Sequence, residues 1–284
     1  HNALKHYAKP VANAVGMLAD KIIENKGKKI VLVSLARAGI PIGILVKRYI
    51  KFKYGINVPH YSISIIRGRG IDDNAMKYLL EKYRPQQILF VDGWIGKGAI
   101  LNELKKDISA YEGVSADIAV VADPANVTEL CGTHEDILIP SSCLNSTVSG
   151  LISRTFLRDD IIGRDDFHGA VYYGELTDSD LSYDFIETIE KEFNMENTPD
   201  LEKRVESQGI DEVINIGKNF GIDDINLIKP GIGETTRVLL RRIPWKVLID
   251  ERYKGNPQLE HIVRLAEEKH TPVEYYPLTH YKCC

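Results

Sequence analysis

Three stretches of this sequence leave little freedom in what it can fold into: "KKIVLVSLA" (28–36), "QQILFVD" (86–92) and "ADIAVVADP" (116–124). Each is a near-continuous apolar run without the in–out alternation of a strand that has one wet face. Such runs mark strands covered on both sides. "PHYSISIIRG" (59–68) reads as a further strand. Segments with helical apolar spacing lie between and before them: 10–25, opening at Pro10; "IPIGILVKRYIKFKY" (40–54); "NAMKYLLEKY" (74–83), closed by Arg84-Pro85; and "AILNELKKDISAY" (99–111). Strand alternating with helix predicts an α/β fold built on a parallel sheet with helices on both faces. Ligands of such sheets bind beyond the carboxyl ends of the strands.

The middle of the chain is less regular. "PSSCLNSTVSGLISRTFL" (140–157) has a hydroxyl-rich start and a predicted helical finish. "FHGAVYYGEL" (167–176) reads as a strand, and "DSDLSYDFIETIEKEF" (178–193) as a helix with acidic residues in its first turn. "NMENTPD" (194–200) has the composition of a linker. Beyond it come helical segments at about 201–207 and 211–220, a helix start in "GIGETTRVLLRR" (231–242), a strand "WKVLID", a helix "LEHIVRLAEEKH" and a strand "TPVEYYPL". The predicted organisation is a first α/β unit over 1–195, a helical connection over 196–221 and a smaller α/β unit over 222–284.

With 44% hydrophobic and 27% charged residues, the composition is that of a soluble globular protein, and no apolar run is long enough to span a bilayer. The net charge of −4 provides no global attraction to nucleic acid or anionic lipid, so a polyanion needs a local basic patch. Four cysteines, Cys131, Cys143, Cys283 and Cys284, do not make a disulfide framework and read as reduced thiols of a cytoplasmic protein. The chain opens on His1 rather than Met, which reads as a trimmed start.

Chemistry-bearing residues gather at three predicted strand-to-helix junctions. "ILFVDGWIGKGAI" (88–100) ends a buried strand on Asp92 and passes through Gly93, Gly96, Lys97 and Gly98 into a helix at Ala99. A carboxylate at a strand end accepts bonds from sugar hydroxyls. A glycine turn opening a helix aims backbone N–H groups at an anion, with the helix dipole behind them. "SLARAGIPIG" carries Ala36, Arg37, Ala38 and Gly39, and "IIRGRGIDDN" carries Arg67 and Arg69. The plain alternative is a glycine turn needed only for packing, with the three arginines solvated on a rim.

These junctions resemble the type I phosphoribosyltransferase fold. The resemblance implies that Asp92, Gly93, Gly96, Lys97, Gly98 and Ala99 hold the ribose and 5-phosphate of phosphoribosyl pyrophosphate. It further implies that Ala36, Arg37, Ala38 and Gly39 hold the pyrophosphate, and that Asp92, Arg67 and Arg69 act in catalysis. Mg²⁺ is expected through the substrate phosphates, with Asp92 as the protein's own metal ligand. The chain departs from that fold's pattern at Gly93, where a second acid is usual, and at Lys97, where a Thr is usual. Across 1–195 the phrases "VSLARAGIPIG", "SIIRGRGID", "FVDGWIGKGAI", "PSSCLNSTVSGL" and "FHGAVYYGEL" resemble the phosphoribosyltransferase-like proteins of tellurium-resistance and stress operons, often labelled cysteine protease StiP. The activity this implies is transfer of ribose 5-phosphate to an unknown acceptor, with Cys143, Asn145, Ser146 and His168 as acceptor-site candidates. The alternatives are a non-catalytic protein that binds phosphoribosyl pyrophosphate or RNA and, more remotely, a cysteine protease. For a protease, Cys143 precedes a predicted helix and His134 and His168 are the candidate partners.

"GIGETTRVLLRR" resembles the helix start of Pelota-type RNA-binding domains, with Gly231, Gly233, Glu234, Arg237 and Arg241 as the RNA-contacting set. Arg237 and Arg241 lie four apart, on one helical face. RNA is therefore an expected partner and a membrane is not; the oligomeric state stays open, a dimer among the options. The terminal Cys283-Cys284 pair has poor spacing for zinc.

Overall fold

A computed structural model describes residues 2–139, 145–198 and 206–284. A six-stranded sheet runs through its first half, in the order β3-β2-β1-β4-β5-β6. Its strands are β1 (Val31–Ala36), β2 (His60–Ile66), β3 (Gly70–Ile71), β4 (Ile88–Trp94), β5 (Ile118–Ala122) and β6 (Cys131–Thr133). All neighbours pair in parallel except the short β3, which folds back antiparallel on β2. The continuous apolar runs have the expected outcome, because alternate residues feed two different cores. Leu32, Leu89, Val91, Ala119 and Val121 face one cluster. Val31, Val33, Phe90, Ile118 and Val120 face the other.

On the first face lie α1 (Asn2–Lys26), α2 (Gly39–Tyr54) and α5 (Ser182–Glu190); on the second lie α3 (Asp73–Lys82) and α4 (Ala99–Ile108). Helix α1 starts eight residues before the expected Pro10. Tyr7 and Ala8 continue its buried stripe through the proline, and that burial outweighs the lost N–H. Phe185, Ile186 and Ile189 bury α5 in the same cluster.

The predicted helical finish of 140–157 is overturned. Residues 152–156 form β7 (Ile152–Phe156), which pairs antiparallel with β8 (Gly169–Tyr172) as a separate ribbon. The expected strand at 167–176 is thus present, and it is the partner of a segment read as helix. The linker-like stretch is pinned rather than loose. Asn13 exchanges two 2.8 Å hydrogen bonds with the backbone of Thr198, and Asn197 Nδ2 donates to Asp20 (2.9 Å) and to the Tyr49 hydroxyl (2.8 Å). Gly16 makes room for it, since a Cβ there would sit 2.2 Å from Asn197 Oδ1. The expected helix at 201–207 falls mostly outside the described residues.

The C-terminal part contains α6 (Gly209–Phe220), α7 (Ile232–Arg241), α8 (Glu260–Glu268) and the parallel pair β9 (Val247–Ile249) and β10 (Val273–Tyr275). Val213 and Ile216 of α6 pack with Ile228, Leu248, Leu278 and Tyr281. Ile232, Leu239, Val247, Ile262 and Cys283 belong to the same apolar cluster as α1 and α2. The two α/β units therefore share one core. Among the described residues, no helix is long and apolar enough to cross a membrane.

Candidate functional site

The strand order places a topological switch between β1 and β4, where the chain's connections depart to opposite sides. A cavity of about 540 Å³ opens there, at the carboxyl ends of β1, β2 and β4. Its walls bring together the three junctions singled out in the sequence: Ala36, Arg37 and Ala38 after β1, Arg67 after β2, and Asp92 with Gly96, Lys97, Gly98 and Ala99 after β4. Two walls were not foreseen. The β7 strand contributes Ser153, Arg154 and Thr155, and the C-terminal unit contributes Asn226, Lys229, Glu234 and Arg237. Arg37, Arg67, Lys97, Arg154, Lys229 and Arg237 set six cationic side chains against the carboxyls of Asp92 and Glu234, so the cavity favours an anion.

Asp92 is partly buried at the end of β4. Its Oδ1 accepts from the Gly93 N–H (2.8 Å), while Oδ2 meets no protein donor among the described residues. Burial pushes its pKa up to about 7, and the Gly93 N–H offsets only part of that. Gly98 then takes a left-handed conformation (φ 83°) and starts α4. Among the described residues, the backbone N–H groups of Gly96, Lys97, Gly98 and Ala99 meet no protein acceptor. These amides and the α4 dipole are what an oxyanion group requires.

The loop is held from the other unit. The Tyr281 hydroxyl donates to Gly96 O (2.6 Å). Lys97 Nζ donates to the carbonyls of Ile225 (2.9 Å) and Ile228 (2.8 Å), and burial followed by the charge of Lys229 lowers its pKa. Lys97 was expected to be a point charge for phosphate. In the structure two of its three N–H bonds serve as a strut between the units, which leaves one. Arg37 donates to the main-chain carbonyl of Ser153, and burial with the nearby charges of Arg237 and Arg241 lowers its pKa.

Several expected residues stand elsewhere. Gly39 and Gly93 do not line the cavity. A Cβ on Gly39 would lie 2.4 Å from Val91 O, so this glycine lets α2 start against the end of β4. Arg69 lies outside the cavity, in a turn whose N–H donates to Ile66 O (2.8 Å). His168 is tied to the end of β2: its N–H donates to Asp72 Oδ2 (2.6 Å) and its Nδ1 meets Ser64 Oγ (2.9 Å). Ser146 O accepts the N–H groups of Ser149 and Leu151. Cys143 lies outside the described residues. Of the Pelota-like set, Glu234 and Arg237 reach the cavity, paired at 3.8 Å, whereas Arg241 is exposed outside it and Gly231 and Gly233 are buried. The start of α7 is occupied: Gly231 N donates to Cys283 O (2.8 Å), and Ile232 N donates to the Asp136 carboxylate (3.0 and 3.1 Å), which also accepts from Lys282 N (2.9 Å). Burial raises the pKa of Asp136 to about 6.

Comparison with known proteins gives a match to each part of the chain. Residues 1–190 match the family described as tellurite-like stress resistance cysteine protease StiP, and residues 207–284 match the PELOTA RNA binding domain. The chain is similar to the cysteine protease StiP of Acinetobacter baylyi, at 33% identity over 96% of this chain and 75% of that protein. Among solved structures it is similar to a hypoxanthine-guanine phosphoribosyltransferase from Bacillus anthracis (18% identity, 43% of this chain and 71% of the other, TM-score 0.32). It is also similar to that of Leishmania tarentolae in complex with GMP (15%, 47% and 75%, TM-score 0.33). At these scores the two structures are similar only in outline.

Proposed function

The chain belongs to the StiP family, and from that premise we propose that it transfers ribose 5-phosphate from phosphoribosyl pyrophosphate to an acceptor held between the two units. One observation carries this reading: the Asp92 carboxyl and four amides, Gly96 to Ala99, that meet no acceptor among the described residues line one cavity with six cationic side chains. The amides receive the 5-phosphate and Asp92 the ribose hydroxyls. Arg37 and Arg67 hold the pyrophosphate, with Arg154 and Arg237 lining the same cavity. In transfer, the C1–O bond to pyrophosphate breaks with its electron pair leaving on the oxygen, and a bond from the acceptor to C1 forms. Positive charge develops on the ribose beside Asp92 and negative charge on the departing group beside the arginines, so the contribution of the site is electrostatic. Mg²⁺ fits the donor set in a limited way: Oδ2 of Asp92 is available to hold it alongside substrate phosphates and water. When bound, the ion would neutralise pyrophosphate charge.

Glu234 and Arg237 line the same space, so they act as an acceptor wall in this reading. Any RNA bound through these two residues enters the cavity rather than crossing an open helix face. The single carboxylate at 92, with Gly93 following it, favours one second reading: a protein that binds the sugar phosphate without turnover. Protease chemistry through the described thiols is disfavoured. Cys131 and Cys283 are fully buried, and burial pushes the Cys284 thiol up to about 12. The test is pyrophosphate release from phosphoribosyl pyrophosphate and Mg²⁺ with nucleobases, small acids and short RNAs. Acceptor-dependent release supports transfer, tight binding without release supports the binding protein, and absence of binding sinks both.

A further inference from the structure

Away from the cavity, Asp123 follows the carboxyl end of β5, Cys131 opens β6 and His134 follows it. One ligand atom from each lies within 4.8 Å of the others. We propose that these three side chains form a binding site for a zinc-class transition-metal ion.

The chemistry of the set points to such an ion. Thiolate, imidazole and carboxylate together are borderline-soft donors that suit Zn²⁺ better than Mg²⁺ or Ca²⁺. Cys131 Sγ stands 3.3 Å from His134 Nε2. Tetrahedral zinc with ordinary bond lengths separates a sulfur and a nitrogen ligand by about 3.5 Å, so little movement is needed. His134 Nδ1 lies 3.0 Å from the main-chain carbonyl of Asp123. A bond from Nδ1–H to that carbonyl fixes the tautomer and leaves the Nε2 lone pair on the sulfur side, the arrangement that orients a metal-ligating histidine. Asp123 is oriented as well, since its Oδ2 accepts the N–H groups of Val127 (2.7 Å) and Thr128 (2.8 Å).

The scaffold is rigid. Val120 pairs with Cys131 and Ala122 with Thr133 in adjacent parallel strands, and the Asp123 N–H donates to Thr133 O (2.9 Å). Asp123 and Cys131 are fully buried, while the His134 side chain keeps 22% of its surface. The exposed edge of the imidazole marks the side from which a metal enters. Two ionised ligands, Asp123 and the Cys131 thiolate, neutralise a divalent ion. Binding displaces the thiol proton and is therefore tighter at higher pH. This inference does not depend on the transferase reading.

The test uses the full chain, stripped with a chelator and titrated with Co²⁺ as a spectroscopic substitute. The expected result is one Co²⁺ per chain with a near-ultraviolet thiolate-to-cobalt charge-transfer band and tetrahedral visible bands, all displaced by Zn²⁺. Cys131→Ser should abolish the charge-transfer band, and His134→Ala should weaken Co²⁺ binding at least about tenfold. A wild-type titration without the charge-transfer band overturns the proposal without recourse to any variant. A band that survives in Cys131→Ser overturns it equally.

Discussion

Two helices of this protein begin at a left-handed glycine, and they put their first amides to different uses. At the start of α4, Gly98 has φ 83° and the amides from Gly96 to Ala99 meet no protein acceptor among the described residues. At the start of α7, Gly231 has φ 89°, but its N–H goes to Cys283 O and that of Ile232 to the buried Asp136 carboxylate. Both glycines permit an abrupt entry into a helix, Gly98 with ψ 6° and Gly231 with ψ 157°. One entry stays open to a ligand, while the other joins the two units. A glycine-marked helix start thus signals a set of donors; whether they serve a ligand depends on what the rest of the chain brings to them.

The comparison can be broken most forcefully at the closed end. Asp136→Ala leaves the N–H groups of Ile232 and Lys282 buried without an acceptor. An orphaned buried donor costs ~1–3 kcal/mol, so the variant should lose a few kcal/mol in urea unfolding. A change within measurement error would show that α7 does not depend on this contact.

At the open end, Asp92→Asn should weaken binding of phosphoribosyl pyrophosphate with Mg²⁺ at least about tenfold in calorimetry, which corresponds to ~1.4 kcal/mol. The pH dependence carries its own sign. Because the folded pKa is raised to about 7, the fold favours the protonated acid. Its contribution to stability is complete below the unfolded carboxyl value and is lost as pH rises to about 7. A ligand that needs the carboxylate works in the opposite direction, so affinity should climb through pH 7 with release of a proton. Asp92→Asn should flatten that climb, and an identical profile in the variant would remove Asp92 from the site.

Smaller effects separate two residues of one helix face. Arg237 lines the cavity, so Arg237→Ala should weaken sugar-phosphate binding by roughly 1 kcal/mol and lower the salt dependence of any RNA binding. Arg241 is exposed outside the cavity, and Arg241→Ala should change sugar-phosphate affinity by less than about twofold. Equal losses from both would favour an open helix face over a cavity wall.

Much of this architecture was legible in the chain, for a physical reason. A strand buried on both faces needs an apolar residue at nearly every position, so β1, β4 and β5 announce themselves, and Asp92 stands out because it ends such a run. The β7 strand was misread because five residues of mixed polarity, "ISRTF", do not separate a period of 2 from one of 3.6. With it went the Ser153–Thr155 wall. The contacts from Asp136 to Ile232 and from Lys97 to Ile225 span about a third to a half of the chain, and no local pattern encodes them. For that reason the 96–99 loop and the Pelota-like helix read as two sites when they share one cavity. The Cys131–His134 pair was missed similarly. The spacing C-x-x-H is visible, but only the pairing of β5 with β6 brings Asp123 to it.

In the reading proposed above, the amides of 96–99 are the anion-binding end of one pentose-phosphate site. Backbone amide NMR of the ¹⁵N-labelled chain, titrated with phosphoribosyl pyrophosphate and Mg²⁺, tests it most directly. The largest shifts should fall at Gly96, Lys97, Gly98 and Ala99, with Gly231 and Ile232 nearly still. Unmoved 96–99 resonances at saturating ligand, or shifts led by Gly231 and Ile232, would contradict it.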